Sequence, residues 1–313
     1  MAALGEFPYF VGIDAGSSSV KVVALHDAGA GFDVAFRACE AHKGSIAACA
    51  RKLLIAAVSS EELAGGACAG IAATGACAET IREAAPGVRV LEDVPAMTLG
   101  AAVMAPGARS IVQVGAQNAF FVTGVADGRA PQFAMNEGCA AGTGSFFEDQ
   151  MGRLGLSIED YSAIVERAST APRLSGRCAV FAKTDIIHRQ QEGVPIEDIL
   201  LGLCYAMVKS YKATIVRKMP VEAPVLLAGG VARNAGVVRA VRDVFKLDEG
   251  DLIADTAGVY VQAAGAAAHA AKIVRAGGHD AFVPVDLGNL IAALETGVEQ
   301  EALPRLAPLP DEG

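Results

Sequence analysis

Gly12-Ile-Asp-Ala-Gly-Ser-Ser-Ser-Val-Lys21 joins two apolar runs, and its reading decides the fold. Pro8-Tyr-Phe-Val-Gly-Ile-Asp14 before the turn reads as a strand. Lys21-Val-Val-Ala-Leu-His-Asp27 reads as a second, and Asp33-Val-Ala-Phe-Arg-Ala38 as a third, so the chain opens on an antiparallel meander. The same order returns about 100 residues later. Ile111-Val-Gln-Val-Gly-Ala-Gln117 ends in a glycine turn, Ala119 to Ala126 follows, Asp127-Gly128 marks a tight turn, and Pro131 to Met135 is the third strand. Overlaid, Asp14 falls on Gln113 and Gly16 on Gly115. A meander with helices and strands behind it, occurring twice, predicts a duplicated α/β architecture.

The intervening segments fill that plan. Helices are expected over 45–58, 95–105, 143–154, 157–168, 179–192, 195–219, 234–245 and 257–271, with buried strands at 70–75, 89–94 and 223–230. The tail after Gly277 carries no legible chemistry.

Composition narrows the partners. Of 313 residues, 52% are apolar and 19% charged, which excludes a disordered chain. Net charge is −9 without a basic run, so nucleic acid is an unsuitable partner. No uninterrupted apolar run reaches membrane-spanning length, and Met1 to Phe10 lacks the pattern of a secretion signal. Seven scattered cysteines without a CxxC favour the reducing cytoplasm over a disulfide framework.

Three glycine-rich loops have the composition of anion sites. In the first, Gly16 admits close backbone approach, Ser17, Ser18 and Ser19 bring amides and hydroxyls together, and Lys21 adds a positive charge. Asp14 at the strand end can hold hydrated Mg²⁺. In the second, an apolar strand enters Gly229-Gly230-Val-Ala-Arg-Asn234, placing Gly229, Gly230, Val231 and Asn234 at a strand's carboxyl end. The third, with Gly142, Thr143 and Gly144, precedes a helix whose first amides suit an anion. None matches the P-loop pattern. Cys139 and Cys178 each follow a glycine and precede a helical pattern. They read either as small buried residues in tight turns or as thiolate ligands. Two are too few for a four-thiolate iron–sulfur site, and a twofold mate would complete one.

Together, Gly12 to Lys21, Asn136-Glu-Gly-Cys-Ala-Ala-Gly-Thr-Gly144, Cys178-Ala-Val-Phe-Ala-Lys-Thr-Asp185 and Gly229 to Asn234 resemble the activator ATPases of 2-hydroxyacyl-CoA dehydratases and the ATPase subunits of benzoyl-CoA reductase. The likeness runs from about residue 10 to about 272. It implies duplicated actin-like, ribonuclease H-like ATPase domains with a nucleotide cleft between them. The domains would be 1–108 plus about 255–275, then 109–254, with 276–313 as a C-terminal appendage. It further implies a cytoplasmic homodimer of an anaerobe with one [4Fe-4S] cluster held by Cys139 and Cys178 of each chain. ATP and Mg²⁺ bind, and electrons arrive from ferredoxin or flavodoxin. ATP hydrolysis then drives single-electron delivery to an acyl-CoA dehydratase or reductase. The family's second phosphate hairpin usually reads Asp-Ile-Gly-Gly-Gln-Asp; here Gln113 and Asn118 replace both acids, Gly115 remains as a phosphate contact, and Gln117 remains to position water. A non-hydrolysing nucleotide-binding redox subunit and a cluster-free small-molecule kinase are the rival expectations.

Overall fold

The computed structural model describes residues 8–29, 31–125, 131–136, 143–176, 179–277 and 286–296. The opening strands are β1 (Pro8–Ala15), β2 (Ser19–Asp27) and β3 (Phe32–Ala41), followed by α1 (Ile46–Val58), β4 (Ala67–Thr74), α2 (Ala78–Ala84), β5 (Arg89–Val90) and α3 (Asp93–Met104). The second series is β6 (Ser110–Val114), β7 (Ala119–Thr123), β8 (Gln132–Met135), α4 (Gly144–Arg153), α5 (Tyr161–Val165), α6 (Ala179–Gln191), α7 (Ile196–Tyr211), β9 (Val225–Ala228), α8 (Ala235–Phe245) and β10 (Leu252–Ile253). Two helices close the chain, α9 (Val261–Arg275) and α10 (Leu287–Thr296).

The described strands form two five-stranded sheets, ordered β3-β2-β1-β4-β5 and β8-β7-β6-β9-β10. The second is the first with every strand advanced by five. Register repeats as well: Asp14 pairs with Lys21 and Gln113 with Phe120 across the hairpins. Along the parallel neighbour, Asp14 meets Thr74 and Gln113 meets Ala228. Both turns close alike, with Gly16 N–H donating to Ser19 O and Gly115 N–H to Asn118 O.

Each sheet is covered on both faces, which is why its central strands are apolar almost throughout. In the first sheet, Val11, Ile13 and Val22 pack with Leu53 and Leu54 of α1 and with Leu290 and Leu294 of α10. On its other face Phe10, Val23 and Leu25 meet the alanines of α9. In the second sheet, Val112, Val114 and Phe121 face α4, α5, α7 and α8, while Ile111 and Phe120 face Met97 and Ala101 of α3. Helices α3 and α9 therefore lie between the sheets. Their backbones touch: a Cβ at Gly100 would lie 1.7 Å from Val261 O, and one at Gly265 1.8 Å from Ala96 O.

Local expectations change at 89–94 and in the tail, while the helix expected over 195–219 is found. The run 89–94 contributes only a two-residue strand, and Asp93 starts α3 instead. Helix α7 continues into a π turn, Lys212–Val216, and the combined Ile196–Val216 is long and apolar enough to cross a membrane. It is mostly buried beneath the second sheet, as a core helix is. In the tail, α10 buries Leu287, Leu290 and Leu294 against the first sheet's outer layer.

Candidate functional site

A cavity of about 460 Å³ opens between the two hairpin turns. The strand alternation that sends Ile13 and Val112 into the outer cores sends Asp14 and Gln113 toward α3 and α9. Both side chains line the cavity yet are nearly enclosed, at 4% and 5% exposure. Lys21 Nζ stands 3.2 Å from Asp14 Oδ2 and also donates to Ser19 O at 3.4 Å. Gly75, at φ +95°, makes room for the other oxygen: a Cβ there would lie 2.5 Å from Asp14 Oδ1.

Most of the sequence-predicted residues gather here. Gly16, Ser17, Ser18, Ser19 and Lys21 line one wall, with Gly115 and Gly144 opposite. Gly229, Gly230, Val231 and Asn234 form a third side. Asn234 Oδ1 also caps α8 by accepting from Gly236 N–H and Val237 N–H. Gly229 has a steric reason to be glycine, since at φ +90° its Cβ would stand 2.2 Å from Val114 O. Gly229→Ala is expected to push β9 away from the second hairpin and lower stability by about 1–3 kcal/mol. A thermal melt of the variant checks this, and an unchanged Tm would refute it.

Other predicted residues lie apart. Gln117 is exposed at the hairpin tip, is not among the cavity's lining residues, and its carbonyl accepts from Asn136 Nδ2 at 3.0 Å. Thr143 is fully buried behind Gly144, its Oγ1 3.1 Å from Ser145 Oγ. The first amides of α4 are used within the protein. Gly144 N–H donates to Gly115 O at 2.7 Å and Ser145 N–H to Ala116 O at 2.8 Å, so these two donors serve the hairpin and not an anion. Gly142, Cys139 and Cys178 lie outside the described residues. Helix α4 begins five positions after Cys139, and α6 begins directly after Cys178.

Sequence reading missed several lining residues. Phe147, Ile158 and Tyr161 supply apolar surface, and Glu148, Glu159 and Arg233 stand at the exposed side. Asp93 and Gln262, from the first turns of α3 and α9, line the inner side. Burial pushes the Asp93 carboxyl up to about 6, and nearby Asp14 adds to this against a hydrogen bond from Gln262. Asp93 escaped notice because Arg89 to Val94 reads as one buried strand. No motif points to Gln262.

For a metal, Asp14 supplies a hard oxygen donor in a cradle that a Cβ at residue 75 would fill. Burial pushes the Cys68 and Cys204 thiols up to about 12 and raises Cys49, so these three are protonated. Among the described residues, no three of His, Cys, Asp and Glu gather into a metal-holding group.

Comparison with known proteins gives this arrangement relatives. The model of the BadF/BadG/BcrA/BcrD ATPase family matches residues 11–270. The chain belongs to that family. Among BadF/BadG/BcrA/BcrD members and their kin, the activator of lactoyl-CoA dehydratase from Anaerotignum propionicum is 31% identical over 244 residues, 77% of this chain and 90% of that protein. Two solved structures share the fold. Component A of (R)-2-hydroxyglutaryl-CoA dehydratase from Acidaminococcus fermentans aligns with TM-score 0.74 at 24% identity, covering 85% of this chain and 99% of that one. The activator of 2-hydroxyisocaproyl-CoA dehydratase from Clostridium difficile, solved with ADPNP, aligns with TM-score 0.73 at 24% identity, covering 88% and 98%. The duplicated actin-like α/β fold expected for this BadF/BadG/BcrA/BcrD ATPase is the fold observed.

Proposed function

We propose that this chain is an ATP-dependent one-electron activator of an acyl-CoA dehydratase or of a benzoyl-CoA reductase-like enzyme. The carrying observation is the cavity between two register-matched hairpins, with Asp14 and Lys21 at one wall and Gly229 at another. The activator relatives and the ADPNP in one of them support assigning that cavity to ATP. Ser17 to Ser19 and the Gly115 turn would clasp the phosphates, Asp14 would hold Mg²⁺, and Phe147 and Ile158 offer apolar surface for the base. With domain limits at 1–108 plus about 255–275 and at 109–254, this cleft would lie between the two repeats.

A [4Fe-4S] cluster, held by Cys139 and Cys178 of each protomer of a homodimer, would supply low-potential one-electron chemistry, loaded from ferredoxin or flavodoxin. Exposed Met135 and Phe181 flank the two cysteine segments in sequence, an apolar surface of the kind dimer and partner contacts use. The amide–carbonyl pair joining α4 to the second hairpin gives a short path from phosphate to the Cys139 segment. Cytoplasmic localisation follows from this redox reading.

Anaerobic purification with iron counting and phosphate-release assays test the proposal. About four iron atoms per dimer are expected, and Cys139→Ser or Cys178→Ser should each remove the iron while leaving the fold intact. Variants that keep their iron overturn the ligand assignment. A second reading, a nucleotide-binding redox subunit that does not hydrolyse, is motivated by Gln113 and Asn118 and predicts iron without phosphate release. A colourless protein that transfers phosphate to an acceptor would indicate a small-molecule kinase.

A further inference from the structure

We propose that Asp93 accepts the proton of the water that attacks the terminal phosphate, and that Gln262 and Gln113 hold it to that task. This rests on the ATP-hydrolysing reading above.

Gln262 Nε2 donates to Asp93 Oδ1 at 2.6 Å, and Gln113 Nε2 donates to Gln262 Oε1 at 3.4 Å. The chain of bonds has one sense. A carboxylate only accepts, so Gln262 must present its amide nitrogen to Asp93 and its oxygen to Gln113. Gln113 must then turn its nitrogen to Gln262, which leaves Gln113 Oε1 as the terminal acceptor. That atom is buried and has no hydrogen-bond partner. All three residues line the same cavity.

Burying a polar atom without a partner is costly unless a ligand completes it. The missing group must be a donor. Water has two O–H bonds, and this relay presents two acceptors of different kinds, an amide oxygen that orients and a carboxylate that can take a proton. Among the lining carboxylates, Asp14 is engaged by Lys21, while Glu148 and Glu159 are exposed and Glu159 is bonded by Ser157 Oγ. Among the described residues, Asp93 has no ion pair and no hydrogen bond besides that from Gln262.

In the step, a bond forms between the water oxygen and the terminal phosphorus as the bridging P–O bond breaks. The bridging electron pair leaves with ADP. One water proton passes to the Asp93 carboxylate, while the other stays hydrogen-bonded to Gln113 Oε1. Asp93 then releases its proton to the departing phosphate or to solvent. The amides at 113 and 118, which cannot serve as bases, are thereby compatible with turnover.

The test uses the iron-loaded full chain with Mg-ATP, reading phosphate release and nucleotide affinity separately. Asp93→Asn should lower kcat about 100-fold or more, hold the ATP dissociation constant within about threefold, and leave thermal stability undiminished because a half-buried charge is removed. Asp93→Glu, which moves the carboxylate by one methylene, should run about tenfold slower than wild type. An Asn variant with more than a third of wild-type kcat, or a Glu variant as fast as wild type, overturns the assignment alone. Parallel loss of nucleotide affinity in Asp93→Asn also overturns it, by making Asp93 a binding group. An iron-loaded wild type that binds ATP without turnover removes the hydrolysing reading and this assignment together.

Discussion

Gly265→Val should yield no cooperatively folding protein, and even Gly265→Ala should lose about 3 kcal/mol, the upper range for overpacking. The cause is the backbone contact between α3 and α9. A Cβ at 265 would lie 1.8 Å from Ala96 O and 2.9 Å from Gly100 N, atoms that no side-chain rotation can move. Ordinary contact distance requires the helices to part by roughly 1.5 Å or more. Because α3 packs on the second sheet and α9 on the first, that displacement opens both interiors. For 313 residues, at about 2.1 cal/mol/K of unfolding entropy each, 3 kcal/mol corresponds to a Tm lower by about 5 °C. A thermal melt of Gly265→Ala within about 2 °C of wild type would show that the helices do not meet in this way.

Asp14→Asn should lower ATP hydrolysis about 100-fold or more, in the range seen when one preorganised electrostatic contact is removed. Asp14 is the acid at the end of β1, 4% exposed, and it pairs with Lys21, whose side chain is 11% exposed. Neutralising it removes the proposed Mg²⁺ ligand and leaves a largely enclosed ammonium without its counter-charge, so stability should fall as well, by about 1–3 kcal/mol. The two losses separate experimentally. Raising Mg²⁺ should recover part of the turnover and none of the stability. Hydrolysis within threefold of wild type would remove Asp14 from the site.

The duplication was legible because it is written in local pattern. Two meanders with a glycine at the same offset specify two hairpins, and Asp14 and Gln113 occupy matching register. The glycine loops were legible for the same reason, and Gly16, Gly115, Gly144 and Gly229 meet around one cavity. What stayed hidden depends on partners distant in the chain. Asp93 and Gln262 are 169 residues apart and meet because α3 and α9 cross at Gly100 and Gly265. Nothing in either local sequence signals that crossing. The family resemblance gave Gln117 the task of positioning water, whereas the hairpin carries its side chain outside the cavity lining. Helix α10 was missed because its apolar spacing is brief and stands beside an acidic, proline-containing tail.

The junction of α4 with the second hairpin sets which positions of this protein can vary. Gly144 and Ser145 are tied to Gly115 and Ala116 by main-chain groups alone. Side chains can drift at those positions without severing the wiring, provided the backbone path is kept. A lineage could exchange acids for amides at positions such as Gln113 and Asn118, beside the cavity, while inheriting the same main-chain link between α4 and the second hairpin.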